Sequence, residues 1–325
     1  MNRHIKLLDV FYGNKCNLAC SNCDSRSDEL DYDGPSIESM KESILLANEK
    51  FDVENWSTIG GEALLYKDKI LEIIKCIRSF EPNKTIFLST NGMLLHKNID
   101  WIVDVVKEYR VWVQVCNHTP LFMDKSTMVN ATHEIGKKLG LSETIPAHLW
   151  WYDVFNLGAG TENWRAYTKE KGWDDELSIR DPNDVTYMKE NWGIHYMESP
   201  NFHTIVNRVN GLPKPFNSNP ADAYKNSCPS QFCAFLHNKK IYKCGALGTL
   251  EQLLDKYNLS NDPEWEKYLQ YKPVDLETCT DKDIKHFADT HYCSISECSM
   301  CPGQTMFIEK NKVNVLKIHK DDRYT

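Results

Sequence analysis

Cys16-Asn17-Leu18-Ala19-Cys20-Ser21-Asn22-Cys23 spells C-x3-C-x2-C, and the stretch fixes how the rest of the chain is read. Three thiolates at this spacing can hold three corners of a four-iron cluster, so that the fourth iron has no protein ligand and is open to another molecule. An open coordination position is likewise what separates a catalytic zinc from a structural one. A zinc loop needs a fourth His or Cys nearby, and none lies close to this triplet in the sequence.

Upstream, Ile5–Tyr12 reads as a strand leading into the cysteine loop. Downstream, Ile37, Met40, Ile44 and Ala47 recur at helical spacing,. Trp56–Ile59 is a short strand stopped by Gly60-Gly61, and Ile70, Ile73, Ile74, Ile77 and Phe80 line one helix face. Thr85–Ser89, a helix over Ile99–Val106, Val111–Val115, a helix over Ala131–Leu139 and a strand over Ala147–Tyr152 continue the alternation. Strands alternating with helices predict a parallel sheet with right-handed crossovers, here an α/β fold forming a full or partial (β/α) barrel. Residues 156–200 show weak periodicity and are expected to be loops and short helices. Gly211–Pro220, with three prolines, reads as a linker,. It divides a core over residues 1–215 from a smaller α+β, hairpin-containing unit over 216–325.

The triplet in the loop after the first strand resembles the radical S-adenosylmethionine (SAM) superfamily. Gly60-Gly61-Glu62 after the second strand is similar to the GGEP-like element of that family, with Ala63 in place of its usual proline. Ser89-Thr90-Asn91-Gly92 resembles the S/T-x-N-G element after the third. The resemblance covers about the first 120 residues. It implies a four-iron cluster on Cys16, Cys20 and Cys23 whose open iron chelates the methionine amino and carboxylate groups, reductive cleavage of SAM and release of a 5′-deoxyadenosyl radical. It further implies that Gly60, Gly61 and Glu62 lie at the methionine amino group, where glycines let backbone approach a ligand. Ser89, Thr90 and Asn91 would lie near the ribose and methionine, and Gln114 on the fourth strand would hold the ribose. Asn22 stands where the family usually has an aromatic residue against the adenine. Cys116, at the end of the fourth strand, is a candidate hydrogen-atom donor, with simple packing as the alternative reading.

Seven of the twelve cysteines follow residue 227. Phe232–Leu236 and Lys240–Lys243 read as a hairpin around His237-Asn238-Lys239, with Cys244 at its end and Cys298-x2-Cys301 later. A cysteine-bearing hairpin followed by C-x2-C resembles the twitch or SPASM extensions, which implies a second, auxiliary four-iron cluster. The ligand set is Cys228 or Cys233 with Cys244, Cys298 and Cys301; spacing does not choose between the first two. A zinc ribbon uses a similar pattern and stays as the alternative. Cys279 and Cys293 are spare ligands, redox thiols or core residues, and Cys76 reads as buried core.

A chain of 325 residues with 41% hydrophobic and 26% charged content is that of a globular protein,. Its apolar runs are too short to span a bilayer, and Met1–Lys6 lacks a signal-peptide h-region, so a cytoplasmic location is expected. A net charge of -8 argues against a broad nucleic-acid footprint,. The expected function is hydrogen-atom abstraction from a peptide, sugar or small metabolite, with an auxiliary cluster assisting oxidation or cross-linking and a flavodoxin or ferredoxin as electron donor. A redox-neutral epimerase or mutase and a non-catalytic zinc protein are the alternatives.

Overall fold

The computed structural model describes residues 2–20, 23–118, 125–144, 185–198, 201–203, 207–228, 230–304 and 307–309. Its first half is a strand–helix alternation: β1 (His4–Phe11), α1 (Ile37–Lys50), β2 (Asp52–Ile59), α2 (Lys67–Phe80), β3 (Ile86–Thr90), α3 (Ile99–Tyr109), β4 (Trp112–Asn117) and α4 (Ser126–Lys138). Local chemistry sets the boundaries. Ser36 caps α1 by accepting from the Ser39 N–H,, and α3 stops where Arg110 turns left-handed at φ 51°. On α2 the side chains of Ile70, Ile73, Ile74 and Ile77 are wholly buried. Each contributes roughly 1.5–3 kcal/mol by leaving water.

The remaining strands are β5 (Glu143–Thr144), β6 (Val185–Lys189), β7 (Trp192–Glu198), β8 (Asn201–His203), β9 (Asn207–Val209), β10 (Leu212–Lys214), β11 (Cys233–His237), β12 (Lys240–Tyr242), β13 (Val274–Asp275) and β14 (Phe307–Glu309). One ten-stranded sheet runs β13-β12-β11-β1-β2-β3-β4-β7-β6-β5. From β11 to β7 all neighbours are parallel; the outer pairs are antiparallel. Among the described residues the sheet does not close, and β13 and β5 are its edges. The arrangement is mixed α/β with a parallel central sheet. Leu8 and Val10 of β1 pack into the main core with the helices, while Leu7 joins Phe87, Trp112 and Cys233 in a smaller cluster. Asp9 shares the side of β1 that faces Ser57 and Cys233.

Three expectations need correction. The sequence reading left 185–198 as loop, yet it is the β6–β7 hairpin, and β7 extends the parallel sheet beside β4. Its polar residues are buried in pairs, as with His195 Nδ1 accepting from the Trp112 indole N–H at 2.8 Å, which hides the strand from a hydrophobicity pattern. The supposed linker holds β10, paired with β9 through a tight turn at Asn210 and Gly211, both at positive φ,. Asp52–Asn55 also belong to β2, because Val53 and Asn55 stand opposite Ile5 and Leu7. The strand expected over Ala147–Tyr152 lies outside the described residues.

The tail does not hang from the core. Its hairpin joins the main sheet through β11, which pairs in parallel with β1, Leu7 opposite Cys233. The tail also has a core of its own, built on Leu247, Leu250, Leu254, Trp265, Tyr268 and Met300.

Candidate active site

Parallel strands present their carboxyl ends along one rim, where α/β folds bind ligands. Here the rim carries the Cys16–Cys23 loop after β1, Gly60-Gly61-Glu62 after β2, Thr90-Asn91 at the end of β3, and Cys116 with His118 at the end of β4. They wall one cavity of about 360 Å³, which Cys16, Cys20, Cys23, Gly60, Gly61, Glu62, Ser89, Thr90, Asn91 and Cys116 all line. A volume in this range suits a small-molecule ligand.

Backbone and side-chain hydrogen bonds hold the first two loops together. Gly61 N–H donates to the Gly13 carbonyl at 2.9 Å and Glu62 N–H to that of Lys15 at 2.9 Å. Tyr12 Oη donates to the Gly61 carbonyl at 2.9 Å, and Tyr66 Oη accepts from Lys15 N–H at 2.8 Å. A Cβ at Gly61 would sit 2.0 Å from the Lys15 carbonyl oxygen, and one at Gly60 would sit 2.4 Å from that of Gly13. These glycines are demanded by the loop-to-loop contact, and both also line the cavity.

Glu62 is 1% exposed. Its carboxylate accepts from Leu64 N–H (3.0 Å), Thr90 Oγ1 (2.6 Å) and Asn91 N–H (2.8 Å), latching the β2 rim to the β3 rim. Burial raises its pKa against those three hydrogen bonds,. Asn91 then reaches the cysteine loop, its Nδ2 lying 2.7 Å from Asn17 Oδ1 and 3.6 Å from Cys16 Sγ. Ser89 donates to Gln114 Oε1 at 2.8 Å. Gln114 is buried on β4 and is not among the cavity-lining residues. Asn22 lies outside the described residues.

Burial raises the thiol pKa at all three triplet cysteines, to about 11 at Cys23; after burial the push comes from Glu62 at Cys16, from Cys23 at Cys20 and from Asp28 at Cys23. Cys116 is pushed up to about 12, by burial first and then by Glu62. A positive group is needed to hold the three triplet side chains as thiolates, which fits an iron cluster supplying that charge.

The tail brings together a second set. Cys228, Cys244, Cys298 and Cys301 line one cavity with Tyr224, Lys243 and Met300, an order of magnitude smaller than the first. Their pKa values are all raised, chiefly by burial, to about 12 at Cys301. Cys233 is not on that wall; its thiol meets Asp9 and Ser230 instead. Cys293 is exposed and Cys279 half-buried. Among the described residues, no three of His, Cys, Asp or Glu converge tightly enough to hold a single metal ion.

Sequence reasoning missed Asp9. It is 6% exposed, with its pKa raised to about 6 by burial, against hydrogen bonds to Cys233 and Ser57. A lone Asp between Leu8 and Val10 in a strand pattern was the available signal.

Residues 10–119, about a third of the chain, match the family model of the Radical SAM superfamily, so that this stretch is similar to a radical SAM core. Among curated proteins the chain is similar to a "Probable GTP 3′,8-cyclase" of Methanocaldococcus jannaschii, 35% identical over 102 residues, or 31% of this chain and 34% of that protein. The chain thus spans about a third of the length of the curated relative it matches. No helix among the described residues is long and apolar enough to cross a membrane.

Proposed function

We propose that the chain is a radical SAM enzyme with an auxiliary iron–sulfur cluster in its tail, acting on a peptide, sugar or small metabolite. One observation carries the reading: three thiols, the glycine-bearing β2 rim, the β3 rim and the end of β4 wall a single ligand-sized cavity. Cys16, Cys20 and Cys23 would hold the cluster. When bound, the cluster and SAM together supply a 5′-deoxyadenosyl radical able to take a hydrogen atom from an unactivated C–H bond. Asn91 positions the Cys16 sulfur through its side-chain amide, and Glu62 fixes Asn91 and Thr90 in turn. Ser89, on the cavity wall, is oriented by Gln114. The one electron needed per turnover would come from a flavodoxin or ferredoxin.

In the tail, residues 216–325 form the cluster-binding unit, with Cys228, Cys244, Cys298 and Cys301 as ligands. The shared wall of these four supports the choice of Cys228 over Cys233. The name of the curated relative concerns a nucleoside triphosphate. The match covers about a third of either chain, so it supports the shared core more than a substrate. A redox-neutral epimerase or mutase is the second reading, favoured by the Cys116 thiol on the cavity wall.

The test is anaerobic purification, reconstitution with iron and sulfide, and reduction in the presence of SAM. The expected result is about eight irons per chain and formation of 5′-deoxyadenosine, lost in Cys16→Ala. Zinc alone with no SAM cleavage would overturn the proposal; about four irons with one zinc would overturn the auxiliary cluster only. Solvent deuterium in the product, lost in Cys116→Ala, would establish the redox-neutral reading.

A further inference from the structure

Arg26 follows Cys23 by three residues yet faces the other thiol site. Its Nε donates to Thr249 Oγ1 at 3.1 Å, and Thr249 caps the short helix Gly245–Gly248 that begins directly after Cys244. The guanidinium is close enough for its charge to act on the Cys301 and Cys244 thiols. The side chain is 2% exposed, and its Nη1 has no hydrogen-bond partner within the protein. The backbone is held at φ 54°, a left-handed conformation that disfavours a long side chain,.

This geometry is poorly explained by structure alone. A buried guanidinium with an unspent donor costs stability unless something accepts that hydrogen bond. Asp24, Asp28 and Glu29 carry the nearby negative charge; Glu29 Oε1 pairs with Arg208, and although Glu29 Oε2 and Asp28 Oδ1 lack partners too, neither reaches Nη1. Lys243, the cation supplied by the tail itself, donates its ammonium to the His291 carbonyl. The free Nη1 therefore marks a place where an acceptor belongs. A cluster bound by four thiolates carries net negative charge and sulfur acceptors, and such charges and hydrogen bonds set its potential.

We propose that Arg26 is a cross-site charge: carried on the loop of the first thiol triplet, it sets the reduction potential of the iron–sulfur group held by Cys244 and Cys301. The inference rests on the auxiliary-cluster reading above. A cation stabilises the reduced, more negative cluster, so removing it makes reduction harder. Arg26 acts through the cluster and is a positioning residue rather than a catalytic one. Any movement of the first loop on ligand binding would be felt electrostatically at the second site.

The test is an EPR-monitored redox titration of the reconstituted full-length protein, its Arg26→Gln and its Arg26→Lys variants. The signal that SAM does not perturb reports the second cluster. Iron and sulfide are counted in parallel. The expected result is a reduced-to-oxidised ratio about tenfold lower in Arg26→Gln at the wild-type midpoint, which for one electron is about 59 mV, with Arg26→Lys close to wild type. Full iron content with three identical midpoints would overturn this inference and leave the auxiliary cluster standing. Loss of the second cluster from both variants would overturn it too, since that marks a purely structural contact. A wild-type protein with about four irons and no SAM-insensitive signal would overturn it together with the reading on which it rests.

Discussion

The two thiol sites differ in ligand number and in room, and the two differences go together. The triplet offers three thiols and opens onto a cavity of about 360 Å³ walled by strand-end loops. The tail offers four thiols around a far smaller space with Tyr224, Leu247 and Met300 at its wall. A site that leaves one coordination position to a ligand needs space for that ligand; a site that supplies every corner does not. On the proposed reading, the contrast matches bond-breaking chemistry at the first site and electron storage or transfer at the second.

Substitutions at the cysteines test the contrast most severely. Cys16→Ala should abolish 5′-deoxyadenosine formation, a loss of at least about a thousandfold or roughly 4 kcal/mol in transition-state stabilisation, measured by chromatography of the reaction mixture. Cys228→Ala should lower the iron count by about four while some SAM cleavage persists, whereas Cys233→Ala should keep full iron. Equal iron loss in the two variants would dissolve the distinction drawn between them.

The latch that builds the open site comes next. Glu62→Ala would leave Leu64 N–H, Thr90 Oγ1 and Asn91 N–H without their acceptor. At about 1–3 kcal/mol for each buried donor, a loss of several kcal/mol is expected in urea unfolding. Substitution of Asn91 by Ala removes contacts only to Asn17 and Cys16 on the neighbouring loop and to Met93 N–H on its own. It should cost about 1 kcal/mol in stability while weakening SAM binding, read by calorimetry.

An effect that depends on pH separates the sheet floor from both sites. Asp9 holds its proton up to about pH 6 in the folded chain, against an ordinary value of 3.8. Between these values the folded state binds more protons than the unfolded, so stability falls as pH rises through the window and stays lower above it. Asp9→Asn should therefore be more stable than the wild type above pH 6, by on the order of 2 kcal/mol, with the gap closing toward pH 4. Thermal unfolding across that range checks it, and a gap that is constant with pH would show that Asp9 does not titrate there.

Much of this organisation was legible in the chain. Helical spacing, as of Ile70, Ile73, Ile74 and Ile77, and the turn residues after each short apolar run placed helices α1 to α3 and strands β1 to β4 within about four residues, and α4 with its start five residues late,. They were legible because their information is local. The β6–β7 hairpin was not, since the burial of His195 depends on Trp112, 83 residues away. Cys233 and Cys228 could not be told apart because only the sheet shows that Cys233 stands beside Leu7, facing Asp9. The glycines of the β2 rim were recognised, but their neighbours are the Gly13 and Lys15 carbonyls of another loop, which spacing cannot reveal. Nothing local marks Arg26, whose partner Thr249 lies 223 residues on.

The seating of β11 against β1 bears on how the chain is made and kept soluble. On a ribosome, β1 emerges first and β11 more than two hundred residues later. Until then the N-terminal strand has a bare parallel edge, a row of unsatisfied N–H and C=O groups of the kind that recruits other chains. A fragment ending at residue 215 would keep that edge open permanently. The tail is thus also an intramolecular cap, and its late arrival makes the nascent core a natural client for a chaperone.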